Sequence, residues 1–390
     1  MNAQIHGTCD PAFQPLADAF EANFRERNEL GASACLTVEG ETVVDLWGGH
    51  KDAARTEQWE QDTICVVYSN TKAATALCAH ILIDRGELAL DEKVSSYWPE
   101  FAQAGKEDAT VSMLLDHSVG LPAFRVALES GANTDWQRMA DLLAAQEPFW
   151  PPGSRNGYHM TSFGWLVGEV VRRVSGLSLG AFFKREIADP LGLDYHIGLP
   201  LSEERRLATI ELYRPTPDDP RTAFVDALMD DPRSIQFLSL FNTGGAKVNS
   251  REGHGAELGG HGGIANARAM AGMFTPLANG GGDLVSAERV AAMSIPAAES
   301  DCDANLLIPT RFSHGFMLSM DNRATHPMEG HSAILGPTAF GHVGLGGSLS
   351  FADPEKRMAF GYAMNRHGGG LLLNERGQSL VDAAYSALDR

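Results

Sequence analysis

Cysteine is scarce in this sequence: 5 in 390 residues, an odd number, with no Cys-x-x-Cys pair. Cys35 in "SACLTV" and Cys78 in "ATALCAHI" lie in apolar surroundings, as buried free thiols do. That usage favours a reducing cytoplasm over an exported, disulfide-stapled fold. Long apolar runs are missing too. None approaches the ~18 residues of a membrane span, and the opening "MNAQIHGTCDPAFQ" has neither the basic start nor the apolar stretch of a signal peptide. Positive charge is in short supply: 31 Lys and Arg against 50 Asp and Glu leave a net charge of −19. Such a chain repels phosphate backbones, so nucleic acid is not expected as a partner. The His-Glu-x-x-His zinc pattern and the phosphate-binding loop are absent. Ser118 in "DHSVG" lacks the first glycine of a G-x-S-x-G elbow, and Ser348 in "GGSLS" lacks the last.

What is present is patterned. Phe13, Leu16, Ala17, Phe20 and Phe24 recur at helical spacing and predict a helix over 11–28. "ACLTV" and "TVVDLWG", joined at Glu39-Gly40, predict a β-hairpin. Residues 105–240 are mostly helical pattern broken by Pro and Gly; one helix stops at Gly176. Asn266 reads as a helix N-cap. "GSLSFA" and "RMAFGYAMN" read as strands around a turn at 353–356, and "LVDAAYSAL" as a closing helix. Strands early and late, helices between, predict an α/β chain of the α+β type. It has an antiparallel sheet domain flanked by helices, from residues 1–75 and 245–390, and an inserted, mostly helical domain, 76–244.

The chemistry centres on "YSNTK". Ser69 and Lys72 stand at i and i+3, on one face if a helix starts near Ser69. A serine nucleophile needs a base within reach, and a lysine buried in an apolar helix has its pKa lowered. The same tetrad also fits an N-cap serine beside a snorkelling lysine. The histidines of "GHGAELGGH" and "THPMEGH" fit solvated loop residues better than metal ligands, so neither metal nor cofactor is expected.

Three further stretches bear on the choice: "LLDHSVGLP" (114–122), "PPGSRNGYHMTSFGWLVGEV" (151–170) and "FGHVGLGGSLSFADPEKRMAFGYAMNR" (340–366). With Ser-x-x-Lys, in this order, they resemble the serine β-lactamase-like superfamily, in particular its class C β-lactamases and family VIII carboxylesterases. The likeness runs over nearly the whole chain and implies an active site between the two domains. It implies Ser69 as acylated nucleophile, Lys72 as the charge that helps accept its proton, and Tyr158 as general base. Tyr158 would act as a tyrosinate favoured by the neighbouring cation. His342-Val343-Gly344 takes the place of the lactamases' Lys-Thr-Gly. The backbone N–H groups of Ser69 and Leu345 would form the oxyanion hole.

Two departures narrow the activity. Met160 and Val343 stand where lactamases carry polar side chains that hold the β-lactam, which favours esters. His342 would keep a hydrogen bond toward the tyrosine, its protonation state left open. The expectation is a cytoplasmic carboxylesterase that cleaves short- to medium-chain acyl esters through an acyl-enzyme. Alternatives are an acyltransferase of the same fold, a β-lactamase or DD-peptidase, and a non-catalytic binding protein. The partner is a small-molecule ester, with no nucleic acid and no membrane; oligomeric state is unreadable. Phe124, Trp136, Trp150 and Phe241 are candidates for the pocket wall.

Overall fold

The computed structural model describes residues 3–217, 219–245 and 247–389. Its strands in chain order are β1 (Ile5–Cys9), β2 (Gly31–Val38), β3 (Glu41–Gly49), β4 (Cys65–Tyr68), β5 (Tyr195–Ile197), β6 (Gly263–Ala265), β7 (Ala298–Ser300), β8 (Thr310–Phe312), β9 (Met317–Leu318), β10 (Phe340–Val343), β11 (Leu349–Asp353) and β12 (Met358–Met364). The helices used below are α1 (Gln14–Glu26), α2 (Asn70–Asp84), α3 (Trp136–Ala145), α4 (Phe163–Ser175), α5 (Ala223–Asp230), α6 (Ile235–Phe241), α7 (Ala267–Ala278) and α8 (Glu375–Leu388).

Both ends of the chain meet in one antiparallel sheet of nine strands, ordered β1-β3-β2-β12-β11-β10-β9-β8-β7. The predicted hairpin is β2–β3, turning through Glu39 and Gly40, both at positive φ (54° and 91°). At the centre β2 lies against β12, with Ala34 opposite Tyr362. Every residue of β12 is buried, yet its faces differ. Met358, Phe360, Tyr362 and Met364 project into a core shared with Leu16 and Phe20 of α1 and Leu380 of α8. Each such large side chain contributes roughly 1.5–3 kcal/mol on burial. Between them Ala359, Gly361 and Ala363 face α7 on the other side. Small residues are required there, because a Cβ on Gly361 would stand 2.3 Å from the carbonyl oxygen of Ala267.

The boundaries follow local chemistry. Asp10 caps a short 3-10 turn, Pro11–Phe13, so the first helix is shorter than its periodicity suggests. Asn266 accepts from Ala269 N at 2.9 Å and starts α7, and Gly176, at φ 73°, ends α4. One element was not expected inside the helical stretch. β5 joins β4 and β6 in a small three-stranded sheet. β4 then delivers the chain into α2, which is buried on all sides from Asn70 to Leu82.

Candidate active site

Ser69 sits at the junction of β4 and α2. Its predecessor Tyr68 takes a left-handed backbone (φ 47°), uncommon for a non-glycine residue. Ser69 makes no capping hydrogen bond, so its hydroxyl does not serve as an N-cap. Thr71 closes the turn instead: its hydroxyl donates to Tyr68 O and accepts from Gly263 N at 2.7 Å. Asn70 ties the turn to the sheet. Its amide donates to Val67 O (3.0 Å) and Ser348 Oγ (2.9 Å) and accepts from Ser350 Oγ (2.9 Å). That linkage brings the turn between β10 and β11 against Ser69. Gly344 lies so close that an added Cβ would be 2.2 Å from Ser348 Oγ and 2.5 Å from Val67 O.

Lys72 is fully buried, and no carboxylate shares a salt bridge with it among the described residues. Its Nζ is 3.1 Å from Ser69 Oγ, 2.7 Å from Met160 O and 2.8 Å from Gly260 O. Burial pushes its pKa well below the usual lysine range. In the neutral amine two N–H bonds satisfy the two carbonyls, and the lone pair is left facing the Ser69 hydroxyl. Glycines permit this approach: a Cβ on Gly164, at the start of α4, would stand 2.2 Å from Gly260 N.

Tyr158 is the next neighbour, with Lys72 Nζ 4.8 Å from its ring centre. Its hydroxyl is buried without a hydrogen-bond partner. Burial raises its pKa, and the nearby Ser69 hydroxyl offsets this only in part. The expected tyrosinate is therefore not supported. The phenol is neutral at rest, because burial disfavours its charged form. His342, on β10, also differs from expectation. Its Nδ1 pairs with Val343 O at 2.7 Å, and its Nε2 is buried without a partner. Its ring centre is 5.9 Å from that of Tyr158, with no hydrogen bond between them. Burial, the largest cause, pushes its pKa down to about 3, so it is neutral.

Three residues without an assigned role in the sequence, His117, Asp303 and Asn305, hold Tyr158 in place. Three consecutive amides are gripped. Gly157 N donates to His117 O (3.1 Å), and Tyr158 N to both oxygens of Asp303 (3.0 Å each). His159 N donates to His117 Nδ1 (3.2 Å). Asn305 Nδ2 completes the clamp on Tyr158 O at 2.7 Å. The His117 ring lies 5.0 Å from the Tyr158 ring, and His117 itself is left-handed at φ 67°. The only sequence signal was the His of "LLDHSVGLP". Asp303 had none.

Ser69, Tyr158, Met160, Val343, Gly344 and Leu345 line one cleft of about 1460 Å³. Of the four aromatics expected in its wall, only Phe241 is there. Phe124 is core, Trp150 donates to Ser118 O, and Trp136 donates to the buried Glu169. The string "GLSLG", residues 176–180, has elbow spacing, but Ser178 caps a short helix by accepting from Ala181 N. No helix among the described residues is long and apolar enough to cross a membrane.

The chain is similar to known proteins over most of its length. Esterase/beta-lactamase LipL of Mycobacterium tuberculosis is 32% identical over 371 residues, 93% of this chain and 83% of that protein. A solved family VIII carboxylesterase superposes with a TM-score of 0.85 at 38% identity, covering 98% of this chain and all of its own. A penicillin-binding protein homolog from Caulobacter crescentus does so with a TM-score of 0.85 at 35% identity, over 98% of this chain and 100% of that one. The Beta-lactamase family model matches residues 17–384, so with Ser69, Lys72 and Gly344 inside the matched span, this chain belongs to the β-lactamase family.

Proposed function

We propose that this protein hydrolyses carboxylic esters through an acyl-enzyme on Ser69. The chain is a serine carboxylesterase of the β-lactamase type. The observation that carries the mechanism is the environment of Lys72: fully buried, with two carbonyls taking its N–H bonds and Ser69 Oγ at 3.1 Å. Ser69 Oγ attacks the ester carbonyl carbon, and its proton passes to Lys72 Nζ. Lys72 is then a cation 4.8 Å from the Tyr158 ring, which makes the phenol a stronger acid. Tyr158 gives its proton to the departing alkoxide and regains one from Lys72. Water then attacks the acyl-enzyme along the reverse relay. The carbonyl oxygen in each tetrahedral state is met by the amides of Ser69 and Leu345. Donors of this kind contribute several kcal/mol, because they meet charge that appears only then.

Neutral His342 and apolar Val343 support esters over β-lactams. The sheet region and the helical insertion act as two lobes; Met160 O from one and Gly260 O from the other meet at Lys72 in support of that division. Five free thiols support a reducing, cytoplasmic setting. The test is turnover of p-nitrophenyl butyrate and nitrocefin by the parent, Ser69→Ala and Tyr158→Phe. Ester turnover should require Ser69 and exceed nitrocefin turnover. Full activity in Ser69→Ala, or nitrocefin turnover without ester turnover, rejects the reading. Added methanol tests acyl transfer in the same assay.

A further inference from the structure

The mouth of the cleft is unusual in what it leaves open to water. Among the described residues nine large apolar side chains are exposed. Six of them, Leu212, Tyr213, Met229, Leu240, Phe241 and Leu345, line this one cleft. Met229 and Phe241, on α5 and α6, are 70% and 60% exposed. A contiguous exposed apolar patch marks a binding surface, whereas scattered apolar residues need no explanation. The cleft, at about 1460 Å³, also exceeds the roughly 300–1,000 Å³ common for small-ligand sites.

Among the described residues, positive charge is sparse there. All the hydrogen-bonding capacity of Lys72 is spent on Ser69, Met160 O and Gly260 O. Arg221 is the one Arg or Lys among the described lining residues, and it is bonded to Asp226 at 2.7 Å. Of the lining histidines, burial pushes the pKa of His261 down to about 3 and lowers that of His331, and His254 faces Glu204 at 3.1 Å. Asp219, Asp230 and Glu329 supply negative charge to the same lining, on a chain of net charge −19.

We propose that the substrate is an uncharged ester bearing a bulky, extended apolar group seated against Met229, Leu240 and Phe241, and that acyl compounds carrying a carboxylate are turned away. The inference rests on the esterase reading and deepens it. Each methylene buried along the rim raises kcat/KM by up to about fourfold. The acidic lining opposes an anion, and salt screens that opposition.

Two comparisons test it. The first is kcat/KM for p-nitrophenyl acetate, butyrate and decanoate with the parent, Met229→Ser and Phe241→Ser, both solvent-facing positions. Decanoate should exceed acetate by about tenfold or more, and each variant should lower that ratio several-fold. The second is p-nitrophenyl hexanoate against the equally long adipate monoanion. The neutral ester should lead by about tenfold at low salt, with the gap narrowing as salt rises. A flat chain-length series, a ratio unmoved in both variants, or parity with the anion overturns the inference. If Ser69-dependent acetate turnover persists in those cases, the esterase reading stands alone. If no ester is turned over through Ser69, that reading itself falls.

Discussion

Replacing His117 with Phe tests the clamp around Tyr158. Phe keeps a ring against Phe163 and Phe312, whose centres lie 5.1 and 4.8 Å from that of His117. It removes the Nδ1 acceptor that holds His159 N at 3.2 Å. A buried amide left unpaired costs about 1–3 kcal/mol, and a bulky residue at φ 67° adds strain. The folded state should therefore lose about 2 kcal/mol in urea melts. The effect on catalysis is separate. With one of three grips gone the Tyr158 hydroxyl wanders, and misplacement well under 1 Å lowers kcat/KM by about tenfold, or ~1.4 kcal/mol. The assay is a double-mutant cycle on p-nitrophenyl butyrate with Tyr158→Phe. If His117 acts through Tyr158, its loss adds almost nothing once the hydroxyl is gone. An equal loss in both backgrounds would refute the reasoning and make His117 merely structural.

The other expectations concern the neighbouring groups. Lys72 has a depressed pKa when folded, so the unfolded chain binds more protons above that value. The stability of the parent relative to Lys72→Met should therefore rise with pH up to the unfolded lysine value of about 10.4, by at most ~1.4 kcal/mol per pH unit. Urea melts at pH 7 and 9.5 measure this, and a constant difference contradicts the neutral amine. Asn70→Leu strips partners from Ser348 and Ser350; it should cost about 2 kcal/mol and lower kcat more than it changes KM. Gly344→Ala should reduce ester turnover by about 100-fold, since its Cβ meets Val67 O at 2.5 Å; wild-type rates in soluble protein would disprove that crowding.

Much of this was written in side chains and little in main chain. Ser69 and Lys72 stood out as a spaced pair, Tyr158 and His342 only through the ordered motifs that resemble the β-lactamase-like superfamily, and the structure brings them together. The acceptors that fix Lys72 are carbonyls of Met160 and Gly260, and a carbonyl has no sequence signature. Asp303 was hidden for a related reason. It binds four backbone and hydroxyl donors, which any loop aspartate could do. β5 escaped notice because three residues are too few to set a period. Trp136 and Trp150 misled because large aromatics serve a core as readily as a pocket. The protonation of Tyr158 followed from burial, which adjacent charges in a sequence do not reveal.

The pairing of β2 with β12 at the middle of the sheet has a consequence for the protein's birth. Ala34 cannot meet Tyr362 until the long stretch between them has left the ribosome. A nascent chain must carry β2, apolar and unpaired along one edge, through the synthesis of everything between. Such long-range pairing is slow, and an open edge invites other chains to add to it. A polypeptide halted before Met358 is thus a sticky intermediate rather than a smaller folded protein, and Ser348, the brace of Asn70, arrives only moments before the sheet is sealed.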